Sequence, residues 1–205
     1  MSWIDLHLHS HYSTGGQFSP TELMYNCKRL GIKVASITDR NTTAGIDEAI
    51  NVAKEIGIQL IPGIEIDCVY NDIELHIIGY WIDHQSTNLN KHINENHISI
   101  SETIQAIKDA NGIAILAHPG KSIKQDEKLL EHVLAFGFSG IEVYSSYHSA
   151  EQTQLYKQKA ASHYMAATCG SDFHRETKQT IKIGSVECEG LEKQILINLG
   201  MFKPC

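Results

Sequence analysis

The sequence predicts a single α/β domain in which short apolar strands alternate with amphipathic helices along the whole chain. Such alternation is typical of parallel βαβ units, and about seven of these units are enough to close a β/α barrel. No linker, internal repeat or low-complexity run interrupts residues 1–205, so no domain boundary is marked. These two observations predict one α/β domain with a barrel-like sheet.

The first half of the chain has clear signals for where its elements begin and end. The predicted strands span residues 3–8, 33–38, 59–69 and 73–79. Ser19 and Glu22 form the capping-box pattern of a helix that has Pro20 at its first position, and Gly31 ends that helix. A second helix is predicted from about residue 44 to residue 56, stopped by Gly57.

The alternation of strands and helices continues along the rest of the chain. The third predicted strand is broken at Pro62-Gly63, and Asn71-Asp72 predicts a tight turn into the fourth. Further strands are predicted at residues 113–117, 140–144, 166–169 and 182–187. The predicted helices lie near residues 90–110, 126–136 and 150–163, with one more at the C-terminus.

Composition and charge exclude several classes of function. The chain has a formal net charge of −7, so it lacks the extended basic surface that non-specific nucleic-acid binding needs. No apolar run approaches the ~20 residues that span a bilayer, which predicts no membrane partner. The five cysteines are scattered and form no C-x-x-C pair. This pattern favours a reducing, cytoplasmic location over a disulfide framework.

Residues of the metal-binding types follow the predicted strands one after another. His7 and His9 form an H-x-H pair, and because a strand repeats every two residues both imidazoles lie on one face. Asp172 and His174 form a second pair at the same spacing. Since the functional residues of β/α barrels lie at the carboxyl ends of the strands, these side chains are predicted to meet.

Single polar residues in apolar strands add to these pairs. Glu65 lies in such a strand, where a carboxylate needs a metal ion or an ionic partner. His76 also lies in an apolar strand, and His118 precedes a sharp Pro119-Gly120 exit where backbone approaches a ligand closely. A core salt bridge and satisfied core histidines remain the alternatives for these three residues. The joint set of nitrogen and oxygen donors fits Zn²⁺, Mn²⁺ or Fe²⁺.

Taken in order, the motifs resemble the PHP family (polymerase and histidinol phosphatase domains). They are H-x-H, S-I-T-D-x-N, P-G-I-E-I, H-I-I-G, L-A-H-P-G, G-I-E-V-Y with a later histidine, and G-S-D-F-H. The resemblance implies a distorted seven-stranded β/α barrel of the PHP type that hydrolyses phosphoesters at a metal cluster. The implied metal ligands are His7, His9, Glu65, His76, His118 and Asp172, with Glu65 bridging two ions.

The chain departs from the family pattern at the third metal site that relatives often have. Ser13 and Thr14 stand near its first ligand position, with His11 as the nearest histidine, and Arg40 replaces a histidine in the S-I-T-D-x-N motif. Two divalent transition-metal ions are therefore expected, with the charge of Arg40 in place of a third. The helical insertion of nucleotide-hydrolysing relatives before L-A-H-P-G is also missing, which predicts an open pocket.

The predicted function is hydrolysis of a small phosphoester, such as a nucleotide or an oligonucleotide end, by attack of a metal-bridging hydroxide. The predicted catalytic residues are His174 as the general acid, together with Arg40 and His148. Substrate binding is assigned to Arg40, Lys121, His148 and Arg175. Two alternatives stay open, namely hydrolysis of an amide at the same binuclear centre and a metal-binding PHP module without catalysis.

Overall fold

The computed structural model describes residues 1–94, 99–124, 126–177, 181–186, 188 and 190–201. The strands are β1 (Ile4–Leu8), β2 (Val34–Ile37), β3 (Gln59–Leu60), β4 (Gly63–Tyr70), β5 (Ile73–Tyr80), β6 (Ile113–Leu116), β7 (Gly140–Ser145) and β8 (Ala166–Gly170). The helices are α1 (Pro20–Arg29), α2 (Ile46–Ile56), α3 (Thr87–His92), α4 (Ile100–Asp109), α5 (Pro119–Ser122), α6 (Glu127–Leu134), α7 (Ala150–Ser162) and α8 (Glu192–Met201).

The strands form two sheets, and the closed seven-stranded barrel expected above is not confirmed. β1, β2 and β3 make a parallel sheet, and β4 to β8 make a second sheet in chain order. β5 runs antiparallel to both β4 and β6. The antiparallel pairing of β4 and β5 follows from the turn at Asn71 and Asp72. Their φ angles of 49° and 61° suit a two-residue hairpin turn. The chain reverses there instead of crossing over to a parallel neighbour.

Two isolated bridges connect the sheets, one between neighbours of predicted site residues and one between two predicted site residues. Leu8 pairs with Phe173, and Arg40 pairs with Glu65. At the first bridge the backbone N–H of His9 donates to the Phe173 carbonyl at 2.9 Å. The two sheets therefore come together where β1 and β2 end, and motif residues from both sheets meet there.

Most helix ends follow the capping signals. Ser19 and Glu22 form the predicted capping box of α1, and Gly57, with a φ of 73°, ends α2. In the region of the predicted helix 90–110 the structure has α3 and α4, and residues 95–98 lie outside the described residues. A second capping box, formed by Ser99 and Glu102, begins α4.

The segment 182–186 forms a turn, so the predicted last strand is wrong over these residues, and residue 187 lies outside the described part of the chain. Gly184 has a φ of 68°, and the N–H of Ser185 donates to the Lys182 carbonyl at 3.1 Å. The N–H of Gly184 donates to Asp5 Oδ2 at 2.8 Å. Alternating apolar side chains produced the strand-like pattern, but these backbone groups bond within the turn and to Asp5.

Two hydrophobic clusters hold the strand ends in place. The larger one includes buried side chains of β4 to β8, α4 and α6, and the smaller one includes those of α1, α2 and β2. Burial of each large aliphatic side chain contributes roughly 1.5–3 kcal/mol. Among the described helices, none combines the length and apolar character that crossing a membrane requires.

Candidate metal centre

The structure brings the six predicted metal-binding residues into two overlapping groups. The first consists of His7, His9, Glu65 and Asp172, and the second of Glu65, His76 and His118. Within each group, the donor atoms all lie within 4.8 Å of one another, and every residue is buried. Glu65 belongs to both groups, as the sequence predicts for a bridging carboxylate.

The first group is compact. His9 Nε2 lies 3.1 Å from His7 Nε2 and 3.0 Å from Asp172 Oδ1. His7 Nε2 lies 3.3 Å from Glu65 Oε1, and His9 Nε2 lies 3.4 Å from Glu65 Oε2. Donor atoms of four residues, from three separate segments of the chain, thus face one point.

The second group shares Glu65 Oε1 with His7 of the first group. This oxygen lies 3.0 Å from His76 Nδ1 and 3.1 Å from His118 Nε2. The far nitrogen of His76, Nε2, donates to Glu74 Oε1 at 3.0 Å, so Nδ1 presents its lone pair to the group. A carboxylate that hydrogen-bonds the outer nitrogen of a ligand imidazole is a recurrent feature of metal sites.

Outer partners also orient the H-x-H pair. Glu142 Oε1 accepts from His7 Nδ1 at 2.9 Å. Ser13 Oγ gives its only hydrogen to Asp39 Oδ1 at 2.8 Å, so it accepts from His9 Nδ1 at 2.9 Å. In their neutral forms both imidazoles therefore turn an Nε2 lone pair towards the carboxylates.

These lone pairs make the site suitable for a cation. Asp172 Oδ1 is buried and makes no hydrogen bond among the described residues, although two lone-pair nitrogens lie close to it. Buried lone pairs that converge on one point repel one another unless a proton or a metal ion lies between them. Mixed imidazole and carboxylate donors suit a divalent transition metal, so the residues present fit the predicted ions.

Charge within the cluster shifts the titration of its members. Burial lowers the pKa of His7, but the carboxylates of Glu142, Glu65 and Asp172 outweigh it and hold that pKa well above the ordinary value. Burial raises the pKa of Glu65, but His7 and the other imidazoles outweigh it and hold that pKa well below the usual range. Metal binding to this site therefore has to displace a proton.

Two of the donor residues have unusual backbone geometry. His118 has a φ of 23° and Asp172 has a φ of 56°, in or near the left-handed region that few non-glycine residues adopt. The N–H of Asp172 donates to the His7 carbonyl at 2.9 Å, which helps to hold this conformation. Such strain is concentrated at functional sites.

Arg40 points into the cluster. Its Nε and Nη2 donate to Glu65 Oε2 at 3.2 and 3.0 Å, and Nη2 also donates to His76 Nδ1 at 3.3 Å. The side chain is only 25% exposed. A permanent positive charge thus lies beside the carboxylate that the two groups share.

The other predicted catalytic and substrate-binding residues differ in their distance from the two donor groups. The ring of His174 stacks on His9 with centroids 4.0 Å apart. Lys121 Nζ lies 3.5 Å from Asp172 Oδ2. Arg175 lies farther out, where its Nε donates to the Gly15 carbonyl at 3.0 Å in an exposed position.

The structure gives His148 a different role from the predicted substrate contact. Its Nδ1 donates to the Val143 carbonyl at 2.9 Å, and its Nε2 accepts from the N–H of Gly120 at 3.2 Å. Burial lowers the pKa of His148, which favours this neutral form. Both ring nitrogens are engaged with backbone, so His148 holds the turn that follows His118.

Glu142 and Tyr147 contact the candidate metal ligands, although neither had a predicted role. The carboxylate of Glu142 is buried and also accepts from the His118 backbone N–H at 2.8 Å. Its position in an apolar strand is the same signal that identified Glu65. Tyr147 donates its hydroxyl to Asp172 Oδ2 at 2.6 Å, and nothing in its sequence context indicates this contact.

Comparison with known proteins agrees with this geometry. The family model of the PHP domain matches residues 5–118, more than half of the chain. The chain belongs to the PHP domain family.

Individual relatives support the fold over almost the whole length. The uncharacterized protein MJ1587 of Methanocaldococcus jannaschii is 33% identical, with 70% of this chain aligned to 82% of that protein. The 3′,5′-nucleoside bisphosphate phosphatase of Chromobacterium violaceum is 23% identical over 91% of this chain and 92% of its own length. The structure of an amidohydrolase from Chromobacterium violaceum, with bound sulfate and no metal, has a TM-score of 0.82 at 22% identity. The alignment covers 96% of this chain and 97% of that chain, so the two proteins share the α/β fold.

Proposed function

We propose that this protein hydrolyses a small phosphoester of the nucleotide class at a binuclear metal centre. The observation that carries the proposal is the pair of buried donor groups that share Glu65, with the cations Arg40 and Lys121 alongside. A phosphate is an anion, and both bound metal ions and cationic side chains are able to hold it. The similarity to a nucleoside bisphosphate phosphatase over 91% of this chain supports a nucleotide as the organic group.

The two donor groups define where metal ions would bind. One ion would be held by His7, His9, Glu65 and Asp172, and the other by Glu65, His76 and His118. When bound, two divalent ions polarise a phosphoryl group and lower the pKa of water.

Arg40 retains donors for the substrate. Its three contacts with Glu65 and His76 use Nε and Nη2. A guanidinium has five N–H groups, and no contact of Nη1 occurs within the described part of the chain, which leaves both of its hydrogens for a phosphate oxygen. Charge that develops on the phosphoryl oxygens would then be offset by a group that is already in position.

We propose His174 as the group that gives a proton to the leaving group. Its Nδ1 donates to the Asp172 carbonyl at 3.0 Å, so the proton that it gives up has to come from Nε2 of the imidazolium. Loss of that proton returns the neutral ring without breaking the bond at Nδ1. Stacking on His9 keeps the ring at the edge of the first group.

A substrate panel tests the proposal. The purified protein, with added Mn²⁺, is assayed on nucleoside 3′,5′-bisphosphates, nucleoside monophosphates, short oligonucleotides and N-acyl amides, with Asp172→Asn as the control. We expect metal-dependent release of phosphate or nucleotide that the control loses. Hydrolysis of amides only would identify the amide hydrolase, and metal binding without any hydrolysis would identify a non-catalytic module.

A further inference from the structure

Tyr147 contacts three different members of the site. It lies in the loop between β7 and α7, and its hydroxyl donates to Asp172 Oδ2 at 2.6 Å. The face of its ring lies under Lys121 Nζ, 4.6 Å from the ring centroid. The ring also packs edge-on against His118, with centroids 5.6 Å apart.

The two oxygens of Asp172 have different surroundings because of this contact. Oδ2 accepts from the Tyr147 hydroxyl and lies 3.5 Å from Lys121 Nζ. Oδ1 makes no hydrogen bond among the described residues and lies 3.0 Å from His9 Nε2 and 3.4 Å from His7 Nε2. A carboxylate without an anchor on one oxygen is able to rotate and exchange its oxygens. The phenol therefore selects Oδ1 as the atom that faces the first donor group.

The hydroxyl of Tyr147 is a dependable donor. An ionised carboxylate only accepts hydrogen bonds, whereas a phenol has an O–H to donate, so the direction of this bond is fixed. A hydrogen bond from a neutral hydroxyl to a buried carboxylate is also short, as charge-assisted bonds are.

The ring of Tyr147 acts on a second residue. Lys121 has a long, flexible side chain that is 39% exposed, so on its own it would sample many positions. An ammonium over an aromatic face is attracted by the ring quadrupole. The ring thereby keeps the charge of Lys121 beside the cluster.

We propose that Tyr147 is a positioning residue with two separable parts. Its hydroxyl fixes Asp172 for metal binding, and its ring fixes Lys121 for substrate binding. This inference rests on the proposed function, in which Asp172 binds a metal ion and Lys121 contacts the phosphate.

Two substitutions separate the parts. Tyr147→Phe removes only the hydroxyl, whereas Tyr147→Leu removes the hydroxyl and the aromatic face. Tyr164→Phe is the matched control, because Tyr164 is 89% exposed. Circular dichroism and thermal unfolding of each variant establish that it is folded.

Metal affinity is measured by competition between the folded protein and a chromogenic chelator for Zn²⁺. We expect Tyr147→Phe to weaken the binding of one of two ions by roughly 10–100-fold, as loss of an outer partner of a metal ligand usually does. The second ion and the Tyr164→Phe control should keep their native affinity. Native affinity for both ions in Tyr147→Phe would overturn the role of the hydroxyl.

Kinetics at saturating metal test the ring. We expect Tyr147→Leu to raise the KM for a nucleotide by about 2–5-fold relative to Tyr147→Phe, as loss of a cation–π contact predicts. Lys121→Met should raise KM in the native background but add little in the Tyr147→Leu background. Equal KM values for the Phe and Leu variants would overturn the role of the ring.

If the native protein binds no transition metal, the proposed function fails, and this inference fails with it. Native metal binding with unchanged variants overturns the inference alone.

Discussion

Replacing Arg40 with alanine tests the electrostatic part of the proposed function. The guanidinium lies beside Glu65, is mostly buried and has Nη1 available for a phosphate oxygen. Alanine removes the charge and the planar donor fork together. Since a guanidinium is not a metal ligand, the substitution removes no metal-binding side chain.

The expected magnitude follows from the position of the charge. Two unit charges about 4 Å apart interact by roughly 4 kcal/mol at an effective dielectric constant near 20. Partial exposure of Arg40 (25%) screens part of this, and removal of one preorganised charge partner usually costs about 10²–10³-fold in rate. We therefore expect kcat/KM to fall by about 10²-fold, or roughly 2.7 kcal/mol of transition-state stabilisation.

The assay compares kcat/KM on one nucleotide substrate with metal content from elemental analysis of the same preparations. Arg40→Lys should recover only part of the loss, because an ammonium lacks the bidentate fork. Arg29→Ala is the matched control, since Arg29 lies on α1 and bonds to Asn26 away from the cluster. Metal content should match the native protein in all three variants.

Either of two results would refute this reasoning. If Arg40→Ala turns over substrate within about threefold of the native rate, the charge is not used in the transition state. If Arg40→Ala loses metal in proportion to activity, the residue supports the ions and not the phosphate. Full recovery in Arg40→Lys would show that only a point charge is needed.

Three further predictions concern the shared carboxylate, proton competition and packing beneath the site. Glu65→Gln should reduce the occupancy of both ions, because the carboxylate contacts both groups. One ion retained in full by elemental analysis would contradict this. Metal affinity should rise with pH, since burial lowers the pKa of His7 but nearby carboxylates raise it well above its ordinary value. Metal-free His7 is therefore protonated at neutral pH, and binding releases that proton. Calorimetric titration in two buffers of different ionisation enthalpy measures the release, and a pH-independent affinity would count against it. Gly170→Ala should destabilise the protein by about 1–3 kcal/mol, because its Cβ would overlap His7 Cβ and lie 2.7 Å from Glu142 Oε1. At Gly200 an added Cβ meets no described residue within 4 Å, so the Tm of Gly200→Ala should stay the same or rise, and equal Tm values for the two variants would contradict the packing argument.

The residues of the sequence and its resemblance to the PHP family together selected the six candidate donor residues. The strand period of two places His7 and His9 on one face, and a carboxylate such as Glu65 in an apolar strand has few acceptable partners. Local chemistry of this kind depends on near neighbours in the chain. The structure accordingly brings all six predicted donors together, and the same argument would have selected Glu142.

The arrangement of the strands was only partly predictable. The turn at Asn71-Asp72 was predicted, yet its consequence was missed, because a two-residue turn forces an antiparallel pair and excludes a crossover. Periodicity also predicted a strand in the segment 182–186, which forms a turn instead, with the N–H of Gly184 donating to Asp5. Apolar alternation reports which side chains are buried, and it does not report where the backbone groups find their partners.

Only the tertiary structure decided how the outer residues act. His148 was expected at the substrate and instead bonds to backbone through both ring nitrogens, while Tyr147 reaches Asp172 and Lys121. These two residues are neighbours in one short loop, and no strand or helix period governs which way their side chains point. Their partners come from other segments of the chain and meet only after both sheets have formed. The chemistry of the donors is therefore encoded locally, whereas the positions of the groups that orient them depend on long-range packing.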